Sequence, residues 1–276
     1  MTPAKSSIDS HKSPTLPAPE ALHEAVHGFD SLSLEEMDRV KMMDRFDRKF
    51  VFNVDQLPWF LQLAASSYKV LQINSERIFP YASTYFDSSG LSMYLNHHNQ
   101  KRNRYKIRKR EYQRSGEVFL EIKHKTNKGL TRKKRITIEN RSADFVKDEK
   151  KFLKKNSPFK ARILSAVLQN SFCRITLAHK HDAERITIDF ELSFNHGGAS
   201  AALPFVAIAE IKREKSSGMS DFEKILRQNK ILPMKFSKYC IGMVLLNPAI
   251  KHNRFKQKLI TIYKLNNHSS YAPFYN

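Results

Sequence analysis

Residues 101 to 112 read KRNRYKIRKREY, with Arg102, Arg104, Lys106, Arg108 and Arg110 at every second position. Successive side chains of a strand point to opposite faces, so the five cations share one side and Asn103, Tyr105 and Ile107 the other. Like charges so arranged repel one another. A fold that keeps them together needs anions against that face, from its own carboxylates or from a ligand.

The same sorting recurs along the chain. RFDRKFVF (45 to 52) sets Arg45, Asp47 and Lys49 against Phe46, Phe50 and Phe52. EVFLEIKHK (117 to 125) sets Glu117, Glu121, Lys123 and Lys125 against Val118, Leu120 and Ile122. RKKRITIE (132 to 139) sets Lys133 and Arg135 against Ile136 and Ile138. With 81 to 87, 171 to 178, 184 to 191 and 204 to 214, these segments make eight strand candidates. Ser115-Gly116 and Asn127-Lys128-Gly129 mark two tight hairpins, hence antiparallel pairing. Helices are expected at 33 to 43, behind a Ser33/Glu36 capping box, and at 54 to 66, 142 to 155, 159 to 169, 220 to 229 and 237 to 247.

A solvated outer face accounts for such alternation in any one strand. Its recurrence in at least six, with cations on adjacent hairpin strands, points to another arrangement. The expected fold is α+β, mainly β: an eight-stranded antiparallel closed tunnel barrel with a polar, basic lumen and helices packed outside. Phosphates would neutralise such a lumen. Asp47, Glu121, Asp189, Glu191 and Glu210 would neutralise part of it and could hold a divalent ion beside phosphate oxygens.

A formal charge of +21 and a pI near 9.9 agree with a polyanionic partner, whether nucleic acid, an anionic membrane surface or a phosphate-rich substrate. Cys173 and Cys240 lack metal-ligand spacing and read as free thiols of a reducing compartment. No signal peptide or apolar run of spanning length is present, so a cytoplasmic protein without a transmembrane segment is expected. The expected organisation is a disordered N-terminal tail (1–28), one tunnel domain (33–250) and a basic C-terminal tail (251–276) that could dock on a membrane surface or membrane protein.

The runs RFDRKF (45 to 50), STYFDSSGLSMYLNH (83 to 97), RYKIRKREY (104 to 112), FLEIKHK (119 to 125), KKR (133 to 135), ERITIDFE (184 to 191), AIAEIKRE (207 to 214) and FSKYCIG (236 to 242) carry a resemblance. Over about residues 40 to 247 the chain resembles the vacuolar transporter chaperone (VTC) type of polyphosphate polymerase domain, of the triphosphate tunnel metalloenzyme superfamily. The resemblance implies a nucleoside triphosphate or polyphosphate chain in the lumen and a divalent metal, Mn²⁺ or Mg²⁺. Carried over by motif, Lys49, Arg108, Arg110 and Lys238 would be catalytic. Lys123, Lys133, Arg135, Arg174 and Arg185 would bind substrate, with Arg104, Lys106 and Lys125 behind them, and Glu210, Glu121 and Asp189 would be the metal ligands.

Two departures shape that expectation. Hydrolytic branches of the superfamily open with Glu-x-Glu-x-Lys, whereas Arg45-Phe46-Asp47-Arg48-Lys49 stands here, which favours a polymerase-like enzyme using ATP over a tripolyphosphatase. The sequence also carries neither the N-terminal regulatory helical domain nor the membrane anchor of eukaryotic relatives, so inositol-phosphate control and export through its own anchor are not expected. A non-catalytic binder of polyphosphate or RNA is the remaining alternative, nucleic acid being the less favoured ligand. Cations converging on an enclosed space would separate phosphoryl chemistry from an open nucleic-acid surface.

Overall fold

The computed structural model describes residues 19–39, 45–214 and 218–266. In chain order the elements are α1 (Pro19–His27), β1 (Asp30–Leu32), α2 (Leu34–Arg39), β2 (Arg45–Asn53), α3 (Leu57–Ala64), β3 (Tyr68–Leu71) and β4 (Phe79–Asp87). Then come α4 (Ser92–His98), β5 (Arg104–Tyr112), β6 (Glu117–Lys125), β7 (Thr131–Ile138), α5 (Lys147–Asn156), β8 (Ser165–His179) and β9 (Glu184–His196). The chain ends through β10 (Ala199–Leu203), β11 (Val206–Glu214), α6 (Asp221–Gln228), α7 (Lys238–Leu246) and α8 (Lys256–Leu265).

Eight strands follow one another in the order β2-β11-β9-β8-β4-β5-β6-β7, every neighbour antiparallel. They are the eight expected. β10 pairs with β9, β3 with β8, and the short β1 runs parallel to β3. The apolar face of this sheet is buried under helices. Phe50, Phe52, Ile175, Ile186, Ile188 and Ala209 pack with Leu57, Phe60 and Leu61 of α3 and Phe222 and Leu226 of α6. Ile107, Leu120 and Ile122 meet Leu153 of α5. The opposite face is covered in part as well. Ile208, on the side of Glu210, and Leu168, paired with Tyr85, pack with Leu192, Phe194 and Tyr239, Ile241 and Val244 of α7, in one cluster with Leu259 and Ile262 of α8. Thus α7 lies on the cavity side and not outside as expected. The part of that face which α7 leaves uncovered lines a cavity.

The barrel is not closed. Among the described residues β2 and β7 end the sheet and do not pair with each other. The outer edge of β2 is occupied instead by the chain at 233–234: Phe50 bridges Pro233, and the Met234 amide donates to the Lys49 carbonyl at 2.7 Å. β7, carrying Arg132, Lys133, Lys134 and Arg135, is the charged and largely exposed kind of strand that tolerates a free edge.

Three other expectations need correction. Instead of a helix at 159 to 169 there is a short 3-10 turn at Ala161–Ile163, and β8 begins at Ser165. A short apolar run does not distinguish helix from strand, and pairing with β4, from Ser165 opposite Asp87 to Leu168 opposite Tyr85, decides it. Within the expected N-terminal tail, residues 19–27 form α1, burying Leu22, Ala25 and Val26 against α3. Its C-terminal end is held by Arg77, whose Nη1 donates to the carbonyls of Val26 (2.9 Å), His27 (3.2 Å) and Phe29 (3.1 Å). Residues 1–18 lie outside the described residues. The expected C-terminal tail contains α8, which buries Leu259 and Ile262; 267–276 lie outside the described residues.

The Ser33/Glu36 capping box forms as expected, with reciprocal bonds of 2.8 and 3.2 Å, although α2 is described only as far as Arg39. No helix among the described residues is long and apolar enough to cross a membrane.

Gly242 of α7 lies so close to the sheet that a Cβ there would stand 2.4 Å from Cδ1 of the fully buried Phe194. Gly242→Ala is therefore expected to cost about 1–3 kcal/mol of stability through overpacking. Urea unfolding checks this; an unchanged midpoint would mean that α7 moves off the sheet at no cost.

Candidate active site

All eight strands of the main sheet contribute to a single cavity of about 680 Å³. Its lining contains Lys49, Lys106, Arg108, Arg110, Lys123, Lys133, Arg135, Arg174, Arg185, Lys212 and Lys238. Five carboxylates join them, from Asp47, Glu117, Glu121, Asp189 and Glu210. Eleven cations against five anions leave six positive charges in surplus, so the resident acids cannot neutralise the space. Ten of the twelve cations expected from the sequence meet here. Arg104 and Lys125 do not line the cavity, and Lys212, not anticipated, does. Its signal was present in AEIKRE, where it shares a strand face with Glu210.

Three carboxylates organise six of these cations. Glu210 receives Lys49 on Oε1 at 2.8 Å, across the β2/β11 ladder, and Lys212 on Oε2 at 3.0 Å. Glu121 receives Arg108 on Oε2, from Nη2 at 2.6 Å and Nε at 2.7 Å, and Lys133 on Oε1. Asp189 takes a fork from Arg174, Nε to Oδ1 at 2.6 Å and Nη2 to Oδ2 at 2.9 Å, and also pairs with Lys238. Burial opposes ionisation of all three acids, but the paired cations outweigh it and hold each well below the usual carboxylate range.

Four lining cations make no ion pair among the described residues. Arg110 is buried, with Nε 3.5 Å from Ser83 Oγ and its guanidinium over the rings of Tyr81 (5.7 Å) and Phe172 (6.0 Å). Desolvation and then the neighbouring Arg108 push its pKa down to about 10. Lys106 donates to Ser237 Oγ at 3.0 Å, and Arg135 lies over Phe119 at 4.7 Å. Lys123 stands opposite Lys106 in one ladder and Lys133 in the other. The aromatic floor also carries Arg174 over Tyr81 (5.1 Å) and Lys238 over Phe172 (4.1 Å), and sequence reasoning missed it. Such ring faces hold cations without cancelling their charge.

Lys238 reaches the cavity because Ser237 caps α7, accepting from the Cys240 amide at 3.3 Å, and so fixes the first turn. The next residue fastens that turn: Tyr239 donates its hydroxyl to Asp87 at 2.6 Å, and Asp87 also accepts the Met93 and Tyr94 amides of α4. Burial pushes Lys238 down to about 7 against the pull of Asp189, and Lys106 and Lys212 down to about 8.

Glu210, Glu121 and Asp189, the carboxylates expected as metal ligands, stand apart from one another, each with its own pair of cations. Among the described residues no three His, Cys, Asp or Glu side chains group as they would around an ion. Every oxygen of Glu210, Glu121 and Asp189 already meets a lysine or arginine, so Mn²⁺ or Mg²⁺, which require oxygen ligands, would have to displace a resident cation.

A sequence model of the VTC domain matches residues 44–247, most of the chain. The chain belongs to the VTC domain family. No curated protein matches it in sequence. Solved structures similar to it include a candidate adenylate cyclase from Bacillus halodurans, 15% identical, covering 71% of this chain and 96% of that one with a TM-score of 0.44. Another is a candidate adenylyl cyclase from Hippeastrum described as having a dominant triphosphatase activity, 10% identical, covering 72% and 95% with a TM-score of 0.42. At scores below 0.5 these likenesses carry no argument here.

The depressed lysines of this VTC domain give its anion binding a pH signature. A phosphate beside Lys106 favours the charged amine and raises its pKa from about 8 towards the ordinary 10.5, so binding near pH 8 to 9 takes up protons and affinity falls as pH rises. The free protein shows the opposite trend: the cost of keeping Lys106 charged is fully present below pH 8 and is relieved between 8 and 10.5. Calorimetric titration with tripolyphosphate in buffers of different ionisation enthalpy measures the uptake, which Lys106→Gln should reduce. Binding without net proton uptake in any buffer would refute the depressed pKa values.

Proposed function

We propose that this protein is a phosphotransferase that moves the terminal phosphoryl group of ATP onto the end of a polyphosphate chain held in the cavity. The observation that carries this reading is Arg110, a buried guanidinium facing the cavity with no carboxylate paired to it among the described residues. A buried charge of that kind is costly unless a ligand supplies the counter-charge. Phosphate oxygens suit an arginine fork. Membership of the VTC domain family supports the same substrate class.

Phosphoryl transfer asks a protein for in-line positioning and for positive charge over the transferring group. Arg110, Lys106, Lys123 and Arg135 are available to a phosphate chain at once. Arg108, Arg174, Lys49 and Lys238 are oriented by their carboxylates and can each turn one donor to phosphate while keeping that partner. In the reaction a terminal oxygen of the chain attacks the γ-phosphorus, the bond from that phosphorus to the β,γ-bridging oxygen breaks, and ADP leaves with the bonding electrons. An ionised phosphate attacks without a general base.

Water as acceptor would need a base, for which the amine of Lys238, pushed down to about 7, is the candidate; an ionised phosphate acceptor needs none. Among the described residues the cavity lining contains no histidine. Glu121, Asp189 and Glu210 are held far below neutral pKa by the cations they bridge. The polymerase-like reading is preferred over a tripolyphosphatase because Arg45 stands where the hydrolytic branches carry an acidic residue.

Incubation with ATP and polyphosphate primer, with Mn²⁺, with Mg²⁺ and with neither, should yield ADP matched by chain growth. Arg110→Ala should lower the rate by about 10²-fold or more, the scale on which removing one preorganised charge acts. ADP with stoichiometric free phosphate and no chain growth would identify a hydrolase. Tight polyphosphate binding without turnover would identify a binding module.

A further inference from the structure

Arg104 and Lys125, absent from the cavity lining, share a second feature. They stand directly opposite each other where β5 begins and β6 ends, and the next rungs on the same face pair Lys106 with Lys123 and Lys123 with Lys133. Two cations facing across a ladder are destabilising, and here such rungs run unbroken from outside the cavity into it. Cations from other elements join the outermost rung. Lys125 lies in the field of Arg104, Lys235 and Arg102, and Lys258 of α8 in that of Lys235. Four separate segments thus bring Arg102, Arg104, Lys125, Lys235 and Lys258 to one end of the cavity.

This collar differs from the interior in having no carboxylates. Inside, Glu121, Asp189 and Glu210 each bridge two cations, whereas among the described residues no acid pairs with any of the five collar side chains. Arg104 is held by the Lys101 carbonyl at 2.7 Å and Lys258 lies over Phe255 at 5.3 Å; neither contact removes charge. Arg102 and Lys235 are exposed and Lys125 is half-buried.

We infer that the collar is a binding site for the part of a linear polyphosphate chain that extends beyond the cavity, continuous with the row of cations inside. The inference rests on the phosphate-chain reading of the cavity and adds an outer site about 13 Å or more along β5 from Arg108 and Arg110, beyond the span of a triphosphate seated at those two. Polyphosphate fits better than single-stranded nucleic acid, which needs aromatic platforms for its bases. The nearest tyrosine on β5, Tyr105, is turned to the opposite face and stacked on His124 at 4.1 Å. A chain held at both places stays bound between additions, so the collar would favour long products.

The test compares binding of tripolyphosphate and of long-chain polyphosphate to the full chain and to Lys125→Ala/Lys235→Ala/Lys258→Ala. The variant should lose about tenfold or more in long-chain affinity and about 2 in the slope of log affinity against log salt, with tripolyphosphate binding unchanged. Lys125→Arg/Lys235→Arg/Lys258→Arg should retain wild-type binding, which separates loss of charge from loss of fold. Unchanged long-chain affinity in the alanine variant would overturn the collar while leaving the cavity reading intact. A wild-type protein that fails to bind tripolyphosphate would instead overturn the cavity reading. If the alanine variant lost only binding to RNA or to vesicles containing phosphatidylserine, the collar would belong to that partner and the inference would fall.

Discussion

The structure depends on three carboxylates that each hold two cations. Glu210 between Lys49 and Lys212, Glu121 between Arg108 and Lys133, and Asp189 between Arg174 and Lys238 convert a self-repelling lining into a set of ion-paired triplets. Partly buried pairs in such geometry recover much of their desolvation cost, whereas isolated charges do not. Each triplet still carries one net positive charge. The arrangement therefore folds without a ligand yet stays electrostatically unfinished, and Arg110, Lys106, Lys123 and Arg135 add to that deficit.

The open seam of the sheet belongs to the same design. Pro233 and Met234 occupy the edge of β2 that a closed barrel would give to β7, and a few residues later the same segment delivers Ser237 and Lys238 to the cavity. Blocking closure and placing a catalytic candidate are thus consequences of one stretch of chain. Tyr239 ties that stretch to α4 through Asp87, so the position of Lys238 is anchored from two sides. Lys235, between the edge contact and the cap, extends the positive surface outward.

The strands and the faces of the sheet were legible in the sequence because a period of two records which side is buried: Ile107, Leu120 and Ile122 entered the core and Arg108, Glu121 and Lys123 the cavity. Most lining cations followed from that alternation. The start of β8 was not legible, because 161 to 168 is apolar enough for either helix or strand and only β4 decides between them. Nor was α1, whose apolar residues gain nothing until α3 lies beside them.

By itself the sequence determined the alternation, the eight paired segments, the excess of positive charge and the family. Local rules suffice for these, since side-chain direction in a strand and the signals of tight turns depend on near neighbours. Only the tertiary structure decided which lysines and arginines each acid would hold. It also decided that Arg110 remains without an acid, that Tyr81 and Phe172 lie beneath the guanidinium groups, and that the sheet stays open. These outcomes turn on distances between residues far apart in the chain, and electrostatic energy in a poorly solvated space changes steeply with such distances.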